Sequence, residues 1–114
     1  MSYFVDHENR TPNELAPGVF LRTFWGDQMT VAVVDILPGA EVPMHDHVNE
    51  QIGLMVRGEL SFTIGDETKT VYPGDVWVIP GWVKHGCTAG PDGAHLLEVF
   101  APARDEYKFP QQTS

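Results

Sequence analysis

The chain has 114 residues, which is enough for one domain around one core, so we expect no second domain. Its formal net charge of −9 repels phosphate backbones and anionic lipid surfaces, which argues against nucleic acid or a membrane as a partner. An anionic small substrate is still compatible with this charge, because a bound cation and a placed arginine reverse the field inside a pocket.

Cys87 is the only cysteine, so no disulfide can form within the chain. The first residues lack the basic start and apolar run of a secretion signal, and no apolar stretch approaches the length of a membrane span. We therefore expect a soluble, cytoplasmic protein. We expect Cys87 to be a buried, unreactive thiol, since no basic cluster nearby would stabilise its thiolate.

Turn-forming proline and glycine residues divide the chain into short segments that are rich in β-branched and aromatic residues. The predicted strands are residues 29–37, 51–57, 59–64, 75–79 and 94–100. Gly65 and Asp66 are predicted to form a two-residue hairpin turn with glycine first. Because no segment is long enough for a persuasive helix, the pattern predicts an all-β sandwich or small barrel.

Three parts of the chain follow from this pattern. Residues 1–17 are predicted to form an N-terminal arm, residues 18–110 a single barrel, and residues 111–114 a disordered tail. Tyr3, Phe4 and Val5 in the arm could add a strand to the sheet edge of a second copy, so we expect a homodimer.

His45 and His47 stand one residue apart in a segment predicted to be extended. On one strand, residues at this spacing point to the same face, about 6 to 7 Å apart at their backbones, so both rings can close on one metal ion. A third histidine, His85, follows later in the chain. A bare His-x-His pair is also common as ordinary surface or packing residues, and the pair alone leaves both interpretations open.

The surrounding spacing resembles the two motifs of the cupin family. The first motif is matched by Gly39, His45, His47, Gln51 and Gly58, and the second by Gly74, Pro80 and His85. The resemblance implies a conical β-barrel, which is a double-stranded β-helix of the jelly-roll type. It also implies a divalent metal held by both histidines of the first motif, its fourth residue and the histidine of the second. Zinc, nickel, manganese and iron all accept such ligands.

Three positions depart from the family pattern. Gln51 stands where most members have Glu, Trp82 replaces the usual second-motif Gly, and Ala89 stands where some members have Asn.

Gln51 and Glu50 both compete for the third ligand position. Gln51 shares the odd-numbered strand parity of His45 and His47 and leaves the family's six residues before Gly58, so we expect Gln51, with Glu50 as the alternative. A neutral amide with three neutral imidazoles leaves the charge of the ion uncompensated. This donor set favours a Lewis acid over oxygen activation.

The end of the last strand is similar to a narrower cupin group, whose members linearise 4,5-unsaturated uronates in pectin and alginate breakdown and use Gln as the third metal ligand. The group's Asp-x-Phe-x-Pro-x-Arg pattern falls on Glu98, Phe100, Pro102 and Arg104. The resemblance implies that Glu98 and Arg104 are catalytic and that Phe100 and Arg104 bind substrate. Glu in place of Asp is a departure that moves the carboxyl group by about 1 Å or more.

The implied activity is of the isomerase or lyase type on a small sugar acid. Arg104 would pair with the uronate carboxylate through its two-pronged donor edge. Glu98 would take a proton from the anomeric hydroxyl and return one to carbon, which gives an open-chain keto-aldehyde. In the plainer alternative, Glu98 lies on a solvated face, Phe100 is core, and Arg104 makes a surface ion pair with Asp105 or Glu106.

Two other functions fit the same barrel. Its aromatic residues and four methionines could line a cavity for the flat apolar substrate of a polyketide cyclase or dioxygenase. A non-catalytic domain that binds a sugar or a metal is the other alternative. Oxygen uptake with ferrous iron would indicate the dioxygenase, and loss of the ultraviolet band of an unsaturated uronate would exclude the non-catalytic domain.

Overall fold

The computed structural model describes residues 2–109, and the predicted tail at 111–114 lies outside the described residues. Within 2–109 the chain forms eight strands and one short 3-10 helix. In chain order they are β1 Asn13–Ala16, β2 Val19–Trp25, β3 Thr30–Ile36, β4 Glu41–His45, β5 Glu50–Ile64, β6 Glu67–Val71, β7 Val76–Ile79, β8 His85–Ala101 and the 3-10 helix Asp105–Tyr107. The predicted all-β fold is confirmed.

Two long strands, β5 and β8, pair with each other along most of their length and belong to two sheets at once. The first half of β5 and the second half of β8 lie in a sheet of order β7-β5-β8-β3-β2-β1. Their other halves lie in a sheet of order β6-β5-β8-β4. All of these pairings are antiparallel, as in a jelly-roll barrel.

One core fills the space between the sheets. Alternate residues of β2 and β3 are buried, so each strand turns one apolar side inward. Both faces of the β7 segment are apolar in sequence, which leaves its orientation open. In the structure Trp77 and Ile79 are buried while Val76 and Val78 are exposed, so Trp77 points into the barrel.

The sequence predicts two separate strands, 51–57 and 59–64, in place of β5, and only the second half of β8, but both β5 and β8 continue through a bend. The pairing of β5 with β8 shifts register on either side of Gly58. Gly58 and Gly93 take the left-handed φ values of +80° and +74°, and a Cβ on Gly58 would lie 2.0 Å from the Gly93 carbonyl oxygen. The two glycines let the backbones approach closely, so the strands bend from one sheet into the other instead of ending.

The predicted hairpin is confirmed, since Ile64 pairs with Glu67 and Gly65 has φ +60°. The predicted arm, in contrast, contains a strand. Residues 13–16 form β1 because their backbone pairs with β2. Ahead of that strand the arm is exposed, and 95% of the Tyr3 surface is open to solvent.

In the described part of the chain, no helix is long and apolar enough to cross a membrane. The cytoplasmic location stays a prediction.

The close approach at Gly58 can be tested against a glycine of the same backbone conformation. Gly39 has φ +73° and open space where a Cβ would stand. We expect Gly39→Ala to lower the free energy of unfolding by about 1 kcal/mol, the cost of a left-handed alanine. We expect Gly58→Ala to lower it by about 3 kcal/mol or more, because the methyl group also meets the Gly93 carbonyl. Urea unfolding measures both, and equal losses would contradict the packing explanation.

Candidate metal centre

The second-motif histidine meets the first motif by strand pairing. His45 at the end of β4 stands directly opposite His85 at the start of β8, and their ring centroids are 4.3 Å apart. The β4–β8 register is irregular between Val42 and His45, a stretch that contains Pro43. Directly opposed residues on antiparallel strands have adjacent side chains, so residues 40 positions apart in sequence share one site.

His47 joins the pair from a loop. β4 ends at His45, and His47 lies between β4 and β5, so the premise that both histidines share one strand is wrong. The His47 ring is buried, and its centroid is 4.9 Å from that of His85 and 5.7 Å from that of His45. One ring nitrogen from each histidine lies within 4.8 Å of the other two, so small movements of the rings bring all three onto one ion.

Each ring is held in the same way by the backbone. The Nδ1–H of His45 donates to the Pro43 carbonyl at 2.8 Å, and that of His85 donates to the Val83 carbonyl at 2.8 Å. The Nδ1–H of His47 donates to the Asn49 carbonyl at 3.0 Å. These bonds place the proton on Nδ1 and leave a lone pair on each Nε2, as in metal-binding histidines.

Two features of the cluster fit a divalent metal. The Nε2 atom of His85 is buried and has no hydrogen-bond partner among the described residues. Burial lowers the pKa of His85 to about 4, and burial together with the Arg104 guanidinium lowers the pKa of His47. Neutral imidazoles with free lone pairs are the form that binds a metal. The three histidines are therefore positioned to hold a divalent ion.

Gln51, the second residue of β5, is buried beside the cluster, whereas Glu50 is exposed. The Gln51 Oε1 atom lies 3.0 Å from the His47 Nε2 atom. With the proton of His47 on Nδ1, this contact joins two acceptors, an arrangement that a cation bound by both atoms makes favourable. The amide is turned this way because its Nε2–H donates to Glu98 on the other side.

Glu98 faces the cavity beside the histidine cluster. The sequence alone did not decide whether this side chain points inward or toward solvent. On β8 it stands opposite Gly53 of β5, and Gly53 in turn stands opposite Trp77 of β7. A Cβ on Gly53 would lie 2.1 Å from the Trp77 ring, so only glycine leaves room for the indole N–H to donate to Glu98, at 3.4 Å. Burial raises the pKa of Glu98, while the hydrogen bonds from Gln51 and Trp77 oppose that rise.

The segment after β8 returns across the open end of the barrel and brings Arg104 to the site. Its backbone N–H donates to Thr30 Oγ1 at 2.9 Å, and the Asn49 side chain donates to the Pro102 carbonyl at 2.6 Å. The Arg104 guanidinium carbon lies 4.0 Å from the centre of the Tyr107 ring. The side chain is buried, and its Nε donates to Glu106 at 3.2 Å.

Phe100 is also buried at the site, 5.7 Å from the His47 ring centre and 5.2 Å from the Arg104 guanidinium carbon. It is therefore part of the core and of the site wall at once.

An inner cavity of about 30 Å³ touches His45, His85, Gln51, Glu98 and Arg104. Its volume is roughly the share of one water molecule in the liquid. Cys87 also lines it, and burial raises the pKa of this thiol to about 12, in keeping with the predicted unreactive cysteine.

Trp82 occupies the place of the second-motif glycine in a glycine-like conformation. Its φ is +66°, and this region costs a side-chain-bearing residue about 1–2 kcal/mol. The backbone N–H of Trp82 donates to the His47 carbonyl at 2.8 Å, so the strained turn holds the loop that carries His47. The Trp82 side chain is 67% exposed.

Three residues of the site carry no motif signal of their own. Asn49 tethers the segment after β8 to the His47 loop, Gly53 makes room for Trp77, and Tyr107 stacks on Arg104. Of the three, only Asn49 could have been noticed in the sequence, because it stands between two predicted ligands. It is buried in the structure, and a buried polar residue needs a hydrogen-bond partner.

Comparison with known proteins agrees with this geometry. Residues 32–100 match the cupin domain family. An RmlC-like cupin from Shewanella frigidimarina superimposes with a TM-score of 0.86 at 24% identity, over 94% of this chain and 96% of that one. KdgF from Halomonas sp. superimposes with a TM-score of 0.83 at 27% identity, over 93% of this chain and 97% of that one.

A curated relative is longer than this chain. The dimethylsulfoniopropionate lyase DddW from Ruegeria pomeroyi is 30% identical over 84 residues, which are 71% of this chain and 55% of that protein. The chain thus spans about half the length of this relative.

Removal of one histidine tests the cluster. We expect His85→Ala to weaken zinc binding by more than about 100-fold, because loss of groups that merely orient a ligand already costs 10–100-fold. Isothermal titration of the metal-free protein with zinc measures this. His95→Ala is the matched control, since His95 lies outside the cluster and bonds Asp35 at 2.6 Å. Equal losses in the two variants would show that the metal binds elsewhere.

Proposed function

The chain belongs to the cupin domain family, and we propose that it is a metal-dependent enzyme that opens and tautomerises the ring of a 4,5-unsaturated uronate without a redox step. One observation carries the proposal. A line of contacts runs from the histidine cluster through Gln51 to Glu98, and Arg104 lines the same cavity. Metal-binding groups, an acid–base group and a carboxylate-binding cation therefore meet in one place.

We assign the metal ligands to the Nε2 atoms of His45, His47 and His85 and to the Oε1 atom of Gln51. A divalent ion of zinc, nickel, manganese or iron fits these donors. When bound, the ion would act as a Lewis acid on a carbonyl or hydroxyl oxygen. All four donors are neutral, and such a set stabilises the lower oxidation state of iron, which weighs against oxygen activation.

Arg104 is the group that would bind the substrate carboxylate. Its guanidinium is already fixed by stacking on Tyr107 and by the ion pair with Glu106, whose side chain is mostly exposed. A carboxylate that enters from the cavity can bind the remaining N–H groups, and a buried arginine holds it more tightly than an exposed one would.

Glu98 is the group that would move protons. Its Oε2 atom accepts hydrogen bonds from Gln51 and Trp77, which aim the carboxyl group at the cavity. It takes the proton of the anomeric hydroxyl as the carbonyl forms and the bond to the ring oxygen breaks, and it returns a proton to the enol carbon. No atom is gained or lost, so the step is an isomerisation.

A second candidate is β-elimination from a small carboxylate. The small inner cavity favours it, because about 30 Å³ admits a reacting carbon more readily than a sugar ring. The similarity to a dimethylsulfoniopropionate lyase supports it too. Here Glu98 would remove a proton beside the carboxylate held by Arg104, a carbon–carbon double bond would form, and the leaving group would depart with its bonding electrons.

A substrate panel separates the candidates. We expect the zinc-, nickel- or manganese-loaded protein to remove the ultraviolet absorbance of an unsaturated uronate. Glu98→Gln should lower kcat by about 100-fold or more, because it removes the proton carrier. Arg104→Ala should lower kcat/KM to a similar degree, and Gln51→Ala should weaken metal binding as well. Arg57→Ala, which changes an exposed arginine, should leave the activity unchanged.

Other outcomes would overturn the first candidate. Release of acrylate from dimethylsulfoniopropionate, with the uronates untouched, would favour the elimination. Oxygen uptake with ferrous iron would indicate a dioxygenase. Metal binding without turnover of any substrate would leave a binding domain.

We also propose that the chain is a homodimer and that its partner is a second copy bound to the outer face of the first sheet. Two rows of side chains cross this face, and nine of their ten members are apolar. The rows are Val78, Ile52, Val99, Val31 and Phe24, and Val76, Leu54, Leu97, Val33 and Arg22. Copies with a charge of −9 repel each other, and a contact through a face that is nearly free of acidic groups keeps this repulsion small.

The arm is the second element of this proposed contact. Val5 lines a groove beside the apolar rows together with Phe24, Met29 and Val99. Tyr3 and Phe4 next to it are almost fully exposed and would be covered by the second copy.

A single charge should disrupt the dimer. We expect Val78→Lys to give a monomer at micromolar concentration by light scattering after size exclusion, because a buried unpaired charge is costly. Leu37→Lys, which changes an exposed apolar residue outside the rows, should leave the dimer intact. A variant that lacks residues 1–12 tests the arm, and an unchanged dimer would remove the arm from the contact.

A further inference from the structure

A cleft of about 380 Å³ opens directly outside the inner cavity. Five residues line both spaces, namely Leu15, Val42, His45, Arg104 and Tyr107. The cleft and the cavity are therefore adjacent, and a ligand in the cleft lies beside the histidine cluster and Arg104.

The two spaces differ in what they can hold. The inner cavity has room for about one water-sized group, whereas the cleft is within the range of small-ligand pockets. A substrate of ordinary size must therefore leave most of its atoms in the cleft while its reacting end points at the histidine cluster.

The outer wall of the cleft is apolar although it is open to solvent. Leu15 of β1 is 45% exposed and Met44 of β4 is 50% exposed. Each lies at a register irregularity of its strand, between Glu14 and Ala16 in β1 and between Val42 and His45 in β4. The strands are thus bent where they present an apolar side chain to the cleft, and bulges commonly re-aim side chains beside functional sites.

The boundary carries a positively charged group that is paired on one side with Glu106. Arg104 lies between cleft and cavity, and its planar group is held against the Tyr107 ring. Burial raises the pKa of the Tyr107 hydroxyl to about 12, so this neighbour stays neutral, and the ion pair with Glu106 uses the Nε–H of the guanidinium.

We infer that this cleft is a binding subsite for the apolar part of a carboxylate substrate, and that Leu15 and Met44 determine how much apolar surface that part can have. The inference rests on the proposed function, because it keeps Arg104 as the partner of the carboxylate. For a sugar acid, the apolar part is the C–H face of the ring.

A chain-length series tests the inference on the zinc-loaded protein without any turnover. Acetate, propionate, butyrate and hexanoate are titrated by calorimetry. Each methylene that enters an apolar subsite should tighten binding by about fourfold, the equivalent of about 0.8 kcal/mol. We expect hexanoate to bind at least about tenfold more tightly than propionate.

Two variants test whether Leu15 and Met44 cause the tighter binding of the longer acids. Leu15→Ser and Met44→Ser should each reduce the difference between hexanoate and propionate by about half or more and leave acetate binding unchanged. Both side chains are exposed, so the fold should tolerate the changes, and thermal unfolding checks this. Leu37→Ser is the matched control and should keep the full gain with chain length.

The outcomes separate the subsite from the proposed function. If acetate binds, loses affinity in Arg104→Ala, and all longer acids bind equally well, the subsite is wrong and the carboxylate partner stands. If no carboxylate binds in a way that depends on Arg104, the proposed function fails and the subsite fails with it. A gain with chain length that both serine variants retain would also overturn the role of Leu15 and Met44.

Discussion

The amide of Gln51 lies between two groups that need opposite partners, and the rest of the site depends on how it is turned. Its N–H donates to Glu98, so its oxygen must face the Nε2 atom of His47. A glutamate at this position could not do the same, because two carboxylates would then stand side by side in a buried space. Gln51 and Glu98 are therefore a matched pair. The departure from the usual family ligand has a local cause, which is the acid that stands beside it.

The segment after β8, which carries Arg104 and Tyr107, completes the site. It is held at both ends by buried polar groups, since Thr30 accepts from Arg104 and Thr23 donates to the Tyr107 carbonyl at 2.5 Å. The planar guanidinium stacks on an aromatic ring while its edge stays free to donate, which a lysine ammonium could not do. The plainer alternative for Arg104, an exposed ion pair, holds only for its contact with Glu106.

Motif spacing predicted the barrel and the residues that meet in it, because ligand spacing and glycine turns leave a direct record in the sequence. The continuity of β5 and β8 could not be predicted in this way. Gly58 and Gly93 look like turn residues, and only their contact across two strands shows that they allow a bend. His47 reached the cluster from a loop, although the parity argument placed it on the strand of His45. The same parity argument correctly predicted that Gln51 points inward. It did so although β4 ends before Gln51, and strand parity need not continue through a loop.

The roles of Gly53 and Tyr107 could not be predicted, because they depend on contacts between segments that are distant in sequence. Gly53 matters because of what Trp77 does in the space beside it, and Tyr107 matters because the chain turns back over Arg104. Neither residue belongs to a pattern in its own segment, so composition and periodicity do not predict the role of either.

The strands β5 and β8 run through both sheets, and the site is divided between those sheets. His45 and His85 belong to the sheet that contains β4, whereas Gln51 and Glu98 belong to the sheet that contains β3 and β7. Because the same two strands form the middle of each sheet, separating β5 from β8 in one sheet also disturbs the other. The strand residues His45, His85, Gln51 and Glu98 are thus kept together by the pairing of the barrel strands, while His47 and Arg104 are held from outside the strands by hydrogen bonds.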